Sequence, residues 1–163
     1  MAVDLAQVIP PLVRAKLDFI LIGGMAAILH GSARVTFDVD VVYSRRQGNI
    51  ERLAEVLSPF KPSLRGAPAD LPFTWDAKTI RNGLNFTLTT TLGDIDMLGE
   101  VAGGGTYSDL LQHSVDIEAF DVCFKCIDLP TLIRIKEAAG RPKDREAIAE
   151  LRVLLEETGQ RQS

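Results

Sequence analysis

Hydrophobic and polar positions alternate with two different periods along this chain, which predicts a mixture of helices and strands. Near the N-terminus, apolar residues recur at helical spacing from Leu5 to Leu17, behind an Asp4 that can cap the first turn. Pro10 and Pro11 fall inside this run. Because proline lacks the amide hydrogen that an inner helical turn uses, the sequence predicts an early break or kink there.

The segment from residue 19 to residue 43 predicts a strand, a short helix and a second strand. Residues 19–22 are uniformly apolar and precede a glycine pair, which is typical of a buried strand. The following GGMAAILHG predicts a short helix that Gly31 ends. The run VTFDVDVVY, at 35–43, then alternates as the second strand.

The remainder of the chain predicts further helices, strands and loops. Residues 61–73 are rich in proline, which predicts a loop, and residues 85–98 alternate as two strands with a turn near Gly93. We also predict the following elements: a helix within 44–58 that ends before Pro59, a glycine-rich loop and short helix over 101–113, two short strands over 115–127, a helix capped by Asp128 and ended by Gly140, and a last helix from Pro142 through Leu155.

The order of these elements predicts the fold class. The chain has 163 residues, which suffice for one domain with a core but not for two comfortable ones. It contains no repeat and no internal linker, so we predict a single domain over 1–157 and a frayed C-terminal tail over 158–163. The class is α/β (α+β), a mixed β-sheet flanked by helices.

Composition and charge exclude several classes of protein. Hydrophobic residues make up 46% and charged residues 25%, as in globular rather than disordered chains. Apolar runs end before the ~18 residues of a membrane helix, so we expect no membrane partner. Residues 1–19 lack a signal-peptide pattern, so we expect a cytoplasmic protein. The net charge of −4 argues against a wide basic face for nucleic acid.

The two cysteines form the motif CFKC, at Cys123 and Cys126. A lone pair at this spacing is either redox-active or half of a zinc site, but no second pair and no nearby histidine accompany it. Because the surrounding DVCFKCID is typical of a strand, we predict buried thiols.

Asp38 and Asp40 interrupt an otherwise apolar strand. Because side chains alternate across a strand, both carboxylates are predicted to share one face. Phe37, Val39 and Val41 are predicted to face the core. Adjacent carboxylates repel each other and are costly to desolvate without a cation. Oxygen ligands favour a hard cation, Mg²⁺ or Mn²⁺, and a solvated strand face is the alternative.

Three further features favour a site for a cation and a phosphate over that alternative. Gly23 and Gly24 lie between a strand and a helix, where bare backbone amides can meet an anion such as a triphosphate. Arg34 can brace a carboxylate or a phosphate. Asp94 and Asp96 alternate in GDIDML, so a third carboxylate reaches the same pocket if that strand is a neighbour of the first.

The combination of these motifs resembles the polymerase-β-like nucleotidyltransferases. In that family a Gly-Gly or Gly-Ser pair ends a strand, Asp-x-Asp follows on the next strand, and a third acidic residue comes on a neighbouring strand. GGMAAILHGSARVTFDVDVV is particularly similar to the small single-domain bacterial members, which include the nucleotidyltransferase toxins of abortive-infection and toxin–antitoxin systems. LIRIKEAAGRPKDREAIAEL also resembles a segment of that group, so the resemblance covers Phe19 to Leu151.

The resemblance implies a role for each motif. Asp38, Asp40 and Asp96 would be the catalytic carboxylates and would hold the metal ions, with Asp94 as the alternative third carboxylate. The remaining residues would bind the nucleotide: Gly23 and Gly24 around the phosphates, with Gly24 where many relatives have serine, and the basic side chains of Arg34, Lys136, Arg141 and Lys143, with Asp144 as an ion-pair partner of that basic cluster.

The activity that the resemblance implies is Mg²⁺-dependent (or Mn²⁺-dependent) transfer of a nucleoside monophosphate from an NTP to an acceptor hydroxyl, with release of pyrophosphate. The acceptor stays open between a tRNA 3′ end, a protein side chain and a small molecule such as an antibiotic. An antitoxin or a second subunit is an expected partner. The alternatives are a catalytically silent regulatory module with the same fold, and a small α/β protein with a structural aspartate pair.

Overall fold

Nine β-strands lie within residues 3–162, the part of the chain that this computed structural model describes. They are β1 (Phe19–Ile22), β2 (Asp38–Tyr43), β3 (Ser63–Leu64), β4 (Asn85–Thr90), β5 (Gly93–Leu98), β6 (Glu100–Val101), β7 (Gly105–Thr106), β8 (Ser114–Ala119) and β9 (Val122–Ile127). Seven of them form one mixed sheet in the order β3-β4-β5-β2-β1-β9-β8, and β6 pairs with β7 in a separate small hairpin.

Seven α-helices within the same residues pack around this sheet. They are α1 (Leu5–Arg14), α2 (Gly23–Leu29), α3 (Gln47–Leu57), α4 (Ala77–Asn82), α5 (Tyr107–Leu110), α6 (Leu129–Ala139) and α7 (Arg145–Gln162). The predicted mixed sheet flanked by helices is therefore confirmed. Across residues 3–162, no helix combines the length and the apolar composition that crossing a bilayer requires.

Strand β2 occupies the middle of the sheet and determines where the acidic residues lie. It runs antiparallel to β1 and parallel to β5. The register with β5 places Asp38 opposite Asp94 and Asp40 opposite Asp96. Matching positions on paired strands present their side chains to the same face, so four carboxylates share one face of the sheet.

The opposite face of these two strands belongs to the core. Val39 and Val41 on β2 and Ile95 and Met97 on β5 are fully buried. The alternation of apolar and acidic residues therefore matches the two faces of the sheet. Burial of the apolar positions fixes the register, because a slip by one residue would place the carboxylates in the core.

Helix α1 continues through both prolines, so the predicted break there is wrong. Its inner face carries Ile9 and Leu12, which are at most 1% exposed. Downstream of the prolines the helical hydrogen bonding resumes, and the Ala15 amide donates to the Pro11 carbonyl at 3.1 Å. Burial of this face offsets the two amide hydrogens that Pro10 and Pro11 lack.

The start of β2 differs from the prediction. The strand begins at Asp38, where its pairing with β5 begins, and not at Val35. Phe37 precedes the paired region and is 65% exposed, so the prediction that it faces the core is wrong. The core side of the strand begins at Val39 instead, which is fully buried.

The structure corrects the prediction for one of the two cysteines and adds one helix. Cys126 is buried as predicted, and burial raises the pKa of its thiol to about 12. Cys123 is exposed, because residues three apart on β9 lie on opposite faces. Helix α4 was not predicted, since Ile80 is its one buried residue and a single apolar position has no period.

The ends of the chain bear on the predicted domain boundaries. Helix α7 runs to Gln162, so residues 158–162 continue its backbone. The division between a domain at 1–157 and a frayed tail at 158–163 stays a prediction. Residues 1, 2 and 163 lie outside the described part of the chain.

Candidate functional site

Three carboxylates converge where β2 and β5 pair. One oxygen each of Asp38, Asp40 and Asp96 lies within 4.8 Å of the others. Asp38 and Asp40 are two residues apart on one strand, and the parallel register brings Asp96 beside Asp40. Local strand geometry and nonlocal pairing are both needed to assemble this carboxylate cluster (Asp38, Asp40 and Asp96).

Asp40 is the most perturbed member of the carboxylate cluster. Burial raises its pKa to about 8, and the neighbouring charges of Asp38 and Asp96 act in the same direction. Its Oδ1 atom is buried and has no hydrogen-bond partner. A buried oxygen without a donor is costly unless a proton or a cation approaches it. Three oxygen ligands that include such an orphan fit a hard divalent cation such as Mg²⁺ or Mn²⁺.

The structure distinguishes the two candidates for the third carboxylate. Asp96 belongs to the cluster, whereas Asp94 lies outside it. The Asp94 carboxylate accepts a hydrogen bond from the Thr89 hydroxyl at 3.2 Å and lies 3.4 Å from the Arg65 guanidinium. Asp94 is therefore satisfied by protein groups at the edge of the site.

Arg65 is a charged residue of this site that sequence reasoning missed. Its Nη2 atom donates to Asp96 Oδ1 at 2.7 Å and to the Leu88 carbonyl at 2.8 Å. Arg65 follows the two-residue strand β3, inside a stretch that the sequence predicts to be a loop. Only the placement of β3 beside β4, and of β4 beside β5, brings it to the carboxylates. No local sequence signal carries that information.

The glycine pair forms the first two residues of α2 and allows the junction of β1 and α2 to approach the carboxylates closely. Gly23 has a φ of +71°, and a Cβ atom added to it would lie 2.2 Å from Asp40 Oδ2. A Cβ atom added to Gly24 would lie 2.8 Å from the Thr36 hydroxyl oxygen, which itself donates to Asp38 at 3.2 Å. Any larger residue at these two positions would therefore collide with Asp40 or with Thr36.

Gly23→Ala is expected to destabilise the fold and to displace Asp40. Alanine at positive φ costs about 1 kcal/mol, and the clash with Asp40 adds roughly 2 kcal/mol. The control is Gly66→Ala, because Gly66 also has positive φ (+77°) but has nothing within 4 Å of an added Cβ. Urea unfolding of both variants in chelator measures the difference, and equal losses would contradict the close contact.

A cavity of about 570 Å³ opens onto the carboxylate cluster. The predicted nucleotide-binding residues Gly23, Gly24, Arg34, Lys136 and Lys143 all line it, as does Arg141. The expected ion pair between Arg141 and Asp144 is present at 2.6 Å. Among the side chains that the structure describes, Lys136 and Lys143 form no ion pair, so their charges remain available to an anion.

The loop between α2 and β2 is tied to α7 by contacts that the sequence did not reveal. Glu150 accepts hydrogen bonds from the Ser32 hydroxyl at 2.6 Å and from the Ala33 amide at 3.1 Å. Arg34, next in the chain, lies 3.8 Å from Glu146. The last helix therefore holds the loop that forms one wall of the cavity.

Comparison with known proteins bears on the fold. No protein-family model and no curated protein matches the sequence. Among solved structures, a crystal structure from Thermotoga maritima, described as a "putative nucleotidyltransferase", matches with a TM-score of 0.57. The match covers 90% of this chain and 88% of that chain, at 14% sequence identity. The chain has a nucleotidyltransferase fold.

Within this nucleotidyltransferase fold, the sequence-predicted residues lie together. The three aspartates, the glycine pair and the basic residues surround one cavity although they span more than a hundred positions of the chain. The fold expected from the resemblance is thus confirmed. The likeness concerns the fold, and activity is argued separately below from the residues of the cavity.

Proposed function

We propose that this protein is a nucleotidyltransferase that moves a nucleoside monophosphate from an NTP to an acceptor hydroxyl and releases pyrophosphate. The observation that carries the proposal is the carboxylate cluster, in which Asp40 Oδ1 is buried without a partner. The cluster opens onto a cavity with basic side chains on its walls. This combination suits a metal-bound triphosphate better than a solvated strand face, because a solvated carboxylate has no orphaned buried oxygen.

In this proposal the carboxylate cluster would hold Mg²⁺ or Mn²⁺. Two such ions, when bound, stabilise the attacking and leaving oxygens of an in-line displacement at the α-phosphorus. Besides its part in holding the metal, Asp96 would receive the proton of the acceptor hydroxyl. The acceptor oxygen then bonds to the α-phosphorus, the bond from that phosphorus to the bridging oxygen breaks, and pyrophosphate leaves with the electron pair.

The triphosphate would lie between the glycine pair at the start of α2 and helix α6. The backbone amides of Gly23 and Gly24 would meet its oxygens, since Gly24 has no hydroxyl to contribute. Lys136 on α6 is half-buried in the cavity wall, and Lys143 and Arg34 are exposed at its rim. Cations placed there would offset the charge of the triphosphate, which the carboxylates alone would repel.

The identity of the acceptor is the finer part of the proposal. A tRNA 3′ end, a protein hydroxyl and a small molecule such as an antibiotic are the candidates. The net charge of −4 favours an acceptor that does not need a long basic surface. We further propose that the chain belongs with the small bacterial toxin–antitoxin or abortive-infection nucleotidyltransferases and acts in the cytoplasm, with an antitoxin or a second copy as partner.

A catalytically silent module is the second candidate, and one contact favours it. Arg65 already supplies a cation to Asp96, so the third carboxylate is partly neutralised by the protein. The enzyme is favoured over this candidate because Asp40 and Asp38 have no such partner among the side chains described, and a protein without turnover gains nothing from holding them together.

The proposed activity is tested with each of the four NTPs, with and without Mg²⁺ or Mn²⁺. We expect one NTP to raise the melting temperature only in the presence of the metal. With that NTP labelled at its α-phosphate, label is expected in a product after incubation with tRNA, total protein or small acceptors. Stabilisation without any labelled product would favour the silent module.

Lys136→Met is expected to weaken NTP binding by roughly 10- to 150-fold, because a hydrogen bond from a charged donor contributes about 1.5–3 kcal/mol. Methionine keeps the length of the apolar stem, so the packing of α6 is preserved. Arg134→Met is the matched control, since Arg134 is exposed on the same helix and does not line the cavity. Titration of the metal-dependent thermal shift against NTP measures both variants, and equal affinities would remove Lys136 from the binding site.

A further inference from the structure

Arg65 has a position that the proposed reaction does not explain. Four carboxylates lie on one face of β2 and β5, as two pairs in register. Among the described side chains, Arg65 is the one cation that forms ion pairs with this group, at 2.7 Å from Asp96 and 3.4 Å from Asp94. The basic side chains that line the cavity from α6 and from the segment before α7, Lys136, Arg141 and Lys143, do not pair with these carboxylates within residues 3–162.

The guanidinium of Arg65 is held in place by the sheet itself. The Arg65 amide donates to the Thr87 carbonyl at 2.9 Å, which extends the pairing of β3 with β4. Its Nη2 atom also donates to the Leu88 carbonyl at 2.8 Å. The side chain is 31% exposed, so its charge is partly shielded from water. A cation anchored in this way neutralises part of the charge of Asp96 even when no ligand is bound.

The pairing leaves the members of the carboxylate cluster unequal. Arg65 occupies Asp96 Oδ1, whereas Asp40 Oδ1 has no partner. A divalent ion that binds Asp96 must share it with the guanidinium and is repelled by that fixed charge. A triphosphate brings further negative oxygens to the same ion, so it reduces the net repulsion.

We propose that Arg65 is a resident counter-cation that competes with the divalent ion for Asp96, so that the site fills with metal bound to a nucleotide rather than with free metal. The inference rests on the proposed function. Asp94 supports this role of Arg65, because its carboxylate is the second one that lies within ion-pair distance of the guanidinium. Arg65 is thus a positioning residue for Asp96 and a determinant of cation affinity.

The test is a titration of the full chain with Mn²⁺ in the absence of nucleotide, followed by the electron-spin signal of free Mn²⁺. Arg65→Gln keeps a hydrogen-bond donor but removes the charge. We expect this variant to bind Mn²⁺ about tenfold more tightly than the parent protein. Repulsion between a divalent ion and a nearby positive charge weakens binding by about this factor in a solvent-accessible site. With the NTP present, the difference is expected to shrink.

Two variants control for shape and for charge elsewhere. Arg65→Lys keeps the charge, and its affinity is expected to stay within about threefold of the parent value. Arg52→Gln removes one exposed arginine on α3, outside the cavity lining, and is expected to leave the affinity unchanged. Circular dichroism of each variant in chelator checks that the fold is intact.

The possible failures are distinguishable. If the parent protein binds Mn²⁺ and Arg65→Gln binds it equally or more weakly, the counter-cation role is overturned while the proposed function stands. If Arg65→Lys behaves like Arg65→Gln, the charge is not the operative property and the proposal is also overturned. If neither the parent nor any variant binds Mn²⁺, with or without NTP, the proposed function fails and this inference fails with it.

Discussion

Asp38→Asn is expected to abolish metal-dependent stabilisation by NTP and to lower nucleotidyl transfer by roughly a thousandfold. The physical reason is the loss of one of the three carboxylates that can bind a metal ion in the carboxylate cluster. A metal ion contributes several kcal/mol to charge stabilisation in the transition state, and about 4 kcal/mol corresponds to a thousandfold in rate. The amide oxygen can still accept the hydrogen bond that the Thr36 hydroxyl donates to Asp38 at 3.2 Å, so the loop geometry is retained.

The control for this variant is Asp116→Asn. Asp116 is an exposed carboxylate on β8 that pairs with Lys125 at 3.0 Å, and it does not line the cavity. It tests the removal of one surface charge without any change at the site. Thermal shift and label transfer measure both variants. Retention of activity in Asp38→Asn at ordinary metal concentrations would contradict the assignment of the cluster as the metal site.

The stability of the metal-free protein is expected to fall as the pH rises, because of Asp40. Burial raises the folded-state pKa of Asp40 to about 8, from the ordinary value of 3.8 for an aspartate. Between these values the folded protein binds one proton more than the unfolded chain. The stability that protonated Asp40 contributes to the folded state is therefore fully present below about pH 4. It falls as the pH rises from there, with a slope of up to about 1.4 kcal/mol per pH unit, and is lost once the pH has passed about 8.

Asp40→Asn is expected to remove this slope. The amide does not titrate, so the variant gains stability over the parent protein as the pH rises, by about 4 kcal/mol between pH 4 and neutral pH. Urea unfolding in chelator at several values between pH 5 and pH 8 measures the difference between the two proteins. Groups with lowered pKa, such as Glu150, act equally in both and cancel in that difference.

The same unfolding measurement can be repeated on both proteins with a divalent cation added. An ion that binds only the ionised carboxylates stabilises the folded parent protein, and it does so increasingly as the pH rises. Saturating Mg²⁺ is therefore expected to flatten the slope of the parent and to leave Asp40→Asn unaffected. Parallel pH profiles for the two metal-free proteins would show that Asp40 is not held protonated by its surroundings.

Most of the secondary structure follows from local patterns in the chain. Alternation placed Asp38 and Asp40 on one strand face, and Asp128 and Gly140 mark the two ends of α6. These features depend on side-chain period, capping and positive φ, which neighbouring residues determine. At Pro10 and Pro11 the local preference of proline against a helix interior was outweighed by burial of the helix against the core, and α1 continues through both residues.

The sequence by itself therefore determined the mixed fold class, the shared face of Asp38 and Asp40, and the glycine pair at the junction of β1 and α2. Only the tertiary structure decided that Asp96 rather than Asp94 joins them, and that Arg65 and Glu150 hold the surroundings of the site. The reason is that strand order and register arise from pairing between distant segments. A period within one segment says which residues share a face, but not which other segment that face will meet.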